Sequence, residues 1–160
     1  MPTLHTLGYS GFTPETFVAK LQSAHIEVVI DVRRNPVSRK AGFSQASLSK
    51  FLKEQGLEYV HIPELGVPQS LRNELQAEGE LGEYLHQFGQ YLMTCDAVLD
   101  DLERRLHARS CCLMCLEKSP EECHRSVIAR ELQVRSNGTL TIVHLLRSPA
   151  GKSRTLEFDE

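Results

Sequence analysis

Ser110-Cys111-Cys112-Leu113-Met114-Cys115-Leu116, followed by Glu117-Lys118-Ser119-Pro120-Glu121-Glu122-Cys123-His124-Arg125, is the stretch that decides the fold. The first segment carries no charge and is too short for a helix of ordinary length. A continuous apolar run of that size suits a strand covered on both faces. Ser119-Pro120 then reads as a helix start. Serine can cap, proline fits the first position, and Glu122 at the third can close a capping box. The spacing carries that helix to about Val134, and Asn137-Gly138 turns the chain into a last strand, Leu140–Leu146. A strand, a loop, a helix and a further strand make the repeating unit of a parallel α/β sheet.

The same alternation extends towards the N-terminus. Thr3–Gly8 alternates loosely and ends in the turn Gly8-Tyr9-Ser10-Gly11. Thr13-Pro14 starts a helix whose apolar residues Phe17, Val18 and Leu21 fall at helical spacing. Val28-Val29-Ile30 is a β-branched run bounded by Asp31. Ser44 can cap a helix with Leu48, Phe51 and Leu52 on one face, ending near Gly56, and Leu57–Ile62 is a third strand. After the loop Pro63–Pro68, helical spacing resumes at Gln69. It continues from Glu80 to Leu106, with a break expected near Thr94–Asp96. The expected fold is therefore α/β, a single domain over residues 1–146. Its mostly parallel sheet has about five strands with helices on both faces. Residues 147–160 form a polar tail with an apolar pair, Leu156 and Phe158.

The composition agrees. A chain of 160 residues is about one domain at the usual ~100–200 residues each. With 41% apolar and 24% charged residues it is not a mainly disordered chain. No apolar run approaches the ~18–20 residues of a membrane span. The first residues show no basic segment followed by an apolar one, so no secretory signal is expected. Five cysteines (95, 111, 112, 115 and 123) form an odd set without a disulfide rhythm. The expectation is reduced thiols in a cytoplasmic protein.

Net charge is −3, which argues against a generally basic nucleic-acid coat, but the charge is sorted along the chain. Residues 32–53 hold six Lys/Arg and no acid, and residues 54–103 hold eleven acids against Arg72 alone. That asymmetry suits a local basic patch facing an anion, or two solvated faces of opposite sign.

In parallel sheets ligands bind beyond the carboxyl ends of the strands. The first strand offers Gly8, Tyr9, Ser10 and Gly11 there. The second offers Asp31, Arg33 and Arg34, the third His61 and Glu64, and the fourth Cys115 and Glu117. Convergence of these ends predicts one crevice bordered by Ser10, Asp31, Arg33, Cys115 and Arg125.

A helix start favours an anion or a thiolate, and His124 and Arg125 add one titratable and one fixed positive group. Cys115 or Cys123 is thus a candidate nucleophile or redox thiol, with Glu117 or His124 moving protons. The bland alternative is that both are small apolar fillers, as Cys95, Cys111 and Cys112 are read to be. A metal set built on Cys115, Cys123 and His124 is not expected. A separation of eight is not paired zinc-ribbon spacing, and adjacent Cys-His cannot easily face one ion. In the basic loop, Arg33 and Arg39 can fork onto phosphate while Asp31 orients an arginine or acts as a base. Phe43 could stack on a ring. A solvated loop with Asp31 paired to an arginine is the competing reading. His5, His25, His86, His107 and His144 are read as structural or solvated.

Four pieces, in this order and spacing, resemble a known family. They are Thr6-Leu7-Gly8-Tyr9-Ser10, Asp31-Val32-Arg33-Arg34-x-Pro36-x-Ser38-Arg39, Tyr59-x-His61-x-Pro63-x-Leu65-Gly66, and Cys115-x-Glu117 with Cys123-His124-Arg125. The chain is similar to the domain of unknown function 488 family over nearly residues 3–146. That family commonly shows histidine where Tyr9 stands, and a second glycine where Val67 follows Gly66. The resemblance implies a compact α/β domain with a characteristic pair of cysteines, in a family suspected to be enzymatic, and supplies no reaction.

The function expected from these readings is an enzyme acting on a phosphate-bearing substrate, a nucleotide or nucleic acid. Arg33, Arg39 and Arg125, with Ser10 and His61, would hold it, and Cys115 or Cys123 would react. The alternative is a non-catalytic module binding nucleotide or nucleic acid in the same crevice, and a third reading is a structural or partner-binding protein. An anionic small molecule or nucleic acid is the partner expected, with no membrane; the residues indicate neither a cofactor nor an oligomeric state.

Overall fold

A computed structural model describes residues 2–78, 80–147 and 154–158. Among these residues six strands form one sheet: β1 (Thr3–Gly8), β2 (Val28–Asp31), β3 (Glu58–His61), β4 (Cys111–Cys115), β5 (Thr141–Leu146) and β6 (Arg154–Phe158). Their order is β3-β2-β4-β1-β5-β6. The first five strands run parallel, as the strand–helix alternation predicts. The sixth lies within the stretch read as a polar tail and pairs antiparallel with β5. Its short Arg-Thr-Leu-Glu-Phe segment alternates in polarity but is too brief to stand out in sequence.

Among the described residues six α-helices connect these strands: α1 (Pro14–Ser23), α2 (Gln45–Glu54), α3 (Gln69–Glu78), α4 (Leu81–Leu92), α5 (Asp96–Ala108) and α6 (His124–Arg135). At α1, Thr13 Oγ1 accepts from the Thr16 N–H at 3.1 Å while Thr16 Oγ1 accepts from the Thr13 N–H at 2.8 Å. This reciprocal cap satisfies two donors that a helix start leaves open. The long helical stretch breaks between Leu92 and Asp96, where the spacing falters.

The helices cover the sheet in two layers. Phe17 and Leu21 of α1 and Leu48 and Leu52 of α2 pack on Leu7, Val29 and Met114. On the other face Leu99 and Leu102 of α5 and Ile128 and Leu132 of α6 pack on Leu4, Ile30 and Leu113. Each such side chain, fully buried, contributes about 1.5–3 kcal/mol of transfer free energy. Because successive strand residues alternate between the layers, parity along a strand decides which face a polar side chain reaches.

The predicted helix start at Ser119 is corrected. Pro120–Glu122 forms a short 3-10 turn, and Cys123, extended at φ −121° and ψ 141°, becomes the cap of α6. Its Sγ accepts the Arg125 N–H at 3.5 Å. Ser119 Oγ donates instead to the Glu121 carboxylate at 2.7 Å. The extended residue redirects the chain so that Arg125 can reach back under its own loop. No described helix is long and apolar enough to cross a membrane.

Candidate functional site

The polar residues at the carboxyl edge divide into two groups, one on each face of the sheet. Gly8 stands beside Cys115 in the β1–β4 register, and Asp31 beside Met114 in the β2–β4 register. Asp31 thus shares the α1/α2 layer with Met114, and Cys115 points into the other. The single crevice expected from the strand ends does not form, because Asp31 and Cys115 are one residue out of step.

On the α1/α2 face the basic loop folds inward. Arg33 Nε donates to Asp31 Oδ1 at 2.9 Å, and its Nη2 donates to Oδ2 at 2.7 Å. Arg33 Nη1 donates to the Phe43 carbonyl at 2.7 Å, and the Tyr59 hydroxyl donates to Asp31 Oδ2 at 2.5 Å. The pair is buried, with 6% of the Arg33 side chain and none of Asp31 exposed. Burial opposes the Arg33 charge, yet the bonds and charge of Asp31 hold its pKa above the ordinary value. Tyr9 stacks on Phe43 at 4.5 Å and lies under the guanidinium. Phe43 therefore packs internally, and the Arg33 fork is engaged by Asp31. His61 Nε2 donates to the Arg33 carbonyl at 2.7 Å and ties β3 to the loop. Arg34 Nη2 is held by the Gly66 carbonyl and Tyr91 Oη. Arg39 is exposed on the loop. Ser10, half-buried, uses its backbone N–H on the Leu116 carbonyl at 3.0 Å.

The other face gathers Cys115, Glu117, Cys123, His124 and Arg125. Arg125 is fully buried. Its Nε donates to Thr6 Oγ1 at 3.1 Å, its Nη1 to Cys115 Sγ at 3.1 Å and to the Glu117 carbonyl at 2.6 Å. Its Nη2 donates to the Lys118 carbonyl at 3.4 Å. Among the described residues no carboxylate pairs with it. Burial lowers its pKa to about 10, and the nearby Glu117 and Glu121 charges oppose that shift without cancelling it. The loop that Arg125 supports also presses on β1: a Cβ at Gly8 would stand 1.7 Å from the Glu117 carbonyl oxygen. Only glycine fits there.

Cys115 and Cys123 are joined as a disulfide, with Cα atoms 7.7 Å apart. The expectation of five reduced thiols is corrected for this pair. Cys95, Cys111 and Cys112 are free and buried, as the filler reading predicts. Burial raises the Cys111 pKa to about 11 and that of Cys112 further. His124 Nε2 donates to the Val32 carbonyl at 2.8 Å, and burial lowers its pKa to about 4. The ring is therefore neutral near pH 7, with its Nδ1 lone pair 3.8 Å from Cys123 Sγ.

The two sulfurs and a Glu117 carboxylate oxygen lie within 4.8 Å of one another. Reduced, such a set suits Zn²⁺. Against it stands the Arg125 guanidinium, already a cation on Cys115 Sγ, which repels a second one.

Two participants escaped the sequence reading. Thr6 joins Arg125 to His144 Nδ1, 2.5 Å away on β5. Both are polar residues at positions whose strand neighbours two away, Leu4 and Ile142, are core. A polar residue on an apolar parity was the available signal. Burial lowers the His144 pKa to about 4.

No curated protein and no solved structure matches the chain. The family model for the domain of unknown function DUF488 matches residues 13–132, which include the Asp31–Arg33 pair and the whole Cys115–Arg125 loop. With that match covering most of its length, the chain belongs to the DUF488 family.

Proposed function

We propose that the protein is a thiol-dependent enzyme acting on a phosphate-bearing substrate, a nucleotide or nucleic acid, with Cys115 as its reactive group. One observation carries this reading: a buried guanidinium without a carboxylate partner stands 3.1 Å from Cys115 Sγ. Burying an uncompensated cation is costly. A thiolate at Cys115 supplies the missing negative charge, and the cation in turn lowers the thiol's pKa. Glu117 and Cys123 belong to the same cluster, and neutral His124 offers Nδ1 as a proton acceptor to the Cys123 thiol.

The disulfide is the resting form in this reading. A small dithiol reductant opens it by thiol–disulfide exchange and leaves as its own disulfide; its two protons pass to the protein sulfurs, or to solvent for each sulfur that stays a thiolate. Cys115 is 1% exposed, so the loop 116–122 must move before a substrate reaches Sγ. Reduction removes the covalent tie that holds it. Of the arginines read as holding the phosphate, Arg39 is exposed, whereas the Arg33 and Arg125 guanidinium groups are engaged inside the protein; because Arg39 lies on the loop of the opposite face from Cys115, the substrate has to reach across the carboxyl edge of the sheet.

The test is alkylation of the reduced native protein with iodoacetamide near neutral pH, mapped by peptide mass. Cys115 should label at least tenfold faster than Cys95, Cys111 and Cys112, and fail to label before reduction. Slow, equal labelling of all five thiols would overturn the proposal in favour of a non-catalytic module binding nucleotide or nucleic acid.

A further inference from the structure

Cys115 and Cys123 are bonded to each other but stand in different surroundings. Cys115 ends β4, where Arg125 Nη1 donates to its Sγ at 3.1 Å. Cys123 caps α6, where its Sγ accepts the Arg125 backbone N–H at 3.5 Å and lies 3.8 Å from His124 Nδ1. The bond from His124 Nε2 to the Val32 carbonyl fixes the tautomer that leaves Nδ1 with its lone pair. A full positive charge therefore faces one sulfur, and a proton acceptor faces the other. The Sγ atoms of Cys95, Cys111 and Cys112 turn to backbone carbonyls instead, which favour the protonated thiol.

The site limits what can react there. Each of the two cysteines is only 1% exposed. Arg125 holds the loop over them through the Glu117 and Lys118 carbonyls. Those bonds do not involve the S–S link, so a reactant that needs little room is favoured over one that must displace the whole loop. A small hydroperoxide meets the requirement: it is uncharged, compact, and electrophilic at oxygen towards a thiolate. Oxidation of a thiolate gives a sulfenic acid, which condenses with a neighbouring thiol to a disulfide. Cys115 offers the cation-stabilised sulfur for the first step, and Cys123 is the thiol already within bonding reach for the second.

We propose that the reduced protein reduces small hydroperoxides, with Cys115 attacking the peroxide and Cys123 resolving the product, so that the Cys115–Cys123 disulfide is the end of the oxidative half of a turnover. This rests on the Cys115 thiolate of the preceding reading and is independent of a phosphate-bearing substrate. The Cys115 thiolate attacks the peroxide's terminal oxygen. An S–O bond forms, the O–O bond breaks, and the departing oxygen leaves as hydroxide or alkoxide and takes a proton from solvent. Sulfur is oxidised to a sulfenic acid, and the peroxide is reduced to water or an alcohol. Cys123 then passes its proton to His124 Nδ1 and attacks Cys115 Sγ. The S–S bond forms, the S–O bond breaks, and hydroxide leaves as water with the proton that His124 received. Two thiols and one hydroperoxide thus give one disulfide, one alcohol and one water, or two waters from hydrogen peroxide. A small dithiol restores both thiols by exchange.

The full-length protein, reduced and then freed of reductant, is mixed with hydrogen peroxide near neutral pH. Remaining thiols are counted with DTNB and located by peptide mass. Two thiols should be lost per peroxide, from Cys115 and Cys123, at least tenfold faster than thiols are lost from the same chain unfolded in urea. Bis(2-hydroxyethyl) disulfide, which oxidises by exchange and needs more room, should act more slowly than the peroxide. In Cys123→Ser the resolving step is blocked, and dimedone should trap a sulfenic acid on Cys115. Should that variant not fold, dimedone added to the wild-type reaction should label Cys115 and lower the yield of disulfide. Thiol loss no faster than in urea overturns the proposal, as does dimedone on Cys123 alone or an organic disulfide that matches the peroxide. Fast iodoacetamide labelling of Cys115 with slow peroxide consumption overturns this proposal and leaves the thiol reading standing. Slow reaction with both reagents overturns the two together.

Discussion

Arg125 Nη1 stands 3.1 Å from Cys115 Sγ, and the same guanidinium holds the Glu117 carbonyl, the Lys118 carbonyl and Thr6 Oγ1. One side chain therefore shapes the β4–α6 loop and sets the electrostatic environment of the cysteine. The two roles can be separated by experiment, because removing the side chain affects folding and replacing it affects reactivity.

Arg125→Met keeps much of the volume and removes every donor. The burial cost of the charge disappears, but two loop carbonyls and the Thr6 hydroxyl lose their partner, at about 1–3 kcal/mol for each buried group left unsatisfied. The expected net loss is about 3 kcal/mol in urea denaturation. Arg125→Lys retains a charge near Cys115 but cannot hold four acceptors with its single ammonium group. It should keep part of the alkylation rate at Cys115 while losing stability. A stability change below about 0.5 kcal/mol for Arg125→Met, the size usual for a surface substitution, would show that the loop does not depend on this residue.

Gly8→Ala tests the close approach of the loop to β1. The added Cβ would meet the Glu117 carbonyl oxygen at 1.7 Å, so the loop or the strand must shift. Overpacking of this kind costs about 1–3 kcal/mol or more. Gly56→Ala is the contrast. Gly56 has φ +81°, and a Cβ added there would meet nothing within 4 Å, so only backbone strain of about 1 kcal/mol is expected. Gly8→Ala should also alter Cys115 alkylation, and Gly56→Ala should not. Equal effects of both substitutions on stability and alkylation would refute the packing argument.

Much of the fold was legible in the residues. The uncharged run at Cys111–Cys115, the β-branched run at Val28–Ile30 and the Thr13-Pro14 cap each carry a local signal that tertiary contacts reinforce. The site was less legible, for reasons of geometry. Whether Asp31 and Cys115 share a face depends on the β2–β4 register, which pairs Asp31 with Met114 and which no local pattern encodes. Ser119-Pro120 carries a strong start signal, yet the helix waits for Cys123, because the loop has to carry Arg125 beneath it. The arginines of the basic loop could equally have faced an anion in solvent. That Arg33 turns back onto Asp31 follows from the neighbouring Phe43 carbonyl, Tyr59 and Tyr9, which lie far apart along the chain.

Asp31→Asn breaks the buried pair from one side. It leaves the Arg33 guanidinium desolvated without its anion, and such a loss typically costs about 3–5 kcal/mol. Replacing both residues, Asp31→Asn with Arg33→Met, removes the unpaired charge as well. The double variant should be less destabilised than the sum of the two single variants, with a coupling of about 0.5–3 kcal/mol in a double-mutant cycle. Arg39→Ala, at an exposed position of the same loop, should change stability by less than about 0.5 kcal/mol. If Arg39 contacts the phosphate, calorimetry with a nucleotide should show it weakening binding by about 1.5–3 kcal/mol. Strict additivity of the Asp31 and Arg33 substitutions would mean that the pair is not a unit.

Acid probes the two buried imidazoles. Burial lowers the pKa of both His124 and His144 from the ordinary 6.5 to about 4. Above pH 6.5 both rings are neutral whether the chain is folded or not, so neither makes stability depend on pH there. Between pH 6.5 and 4 the unfolded chain binds protons that the folded one refuses. Stability then falls with pH, by up to about 1.4 kcal/mol per pH unit for each histidine. Below pH 4 both states are protonated at these sites and the loss levels off. Urea denaturation of the wild type should therefore show constant stability from pH 8 to 7 and a decline from about pH 6.5, before most carboxylates titrate. His144→Gln, which can still accept from Thr6, should remove part of the slope between pH 6.5 and 5. His124→Gln, able to donate to the Val32 carbonyl, should remove a similar part, and what remains includes His5, whose pKa burial also lowers. The same window bears on reactivity, because a neutral His124 keeps Nδ1 available to the Cys123 thiol down to about pH 4. A stability profile flat from pH 7 to 5, or a slope untouched by either substitution, would show that the two imidazoles titrate as freely in the fold as in the unfolded chain.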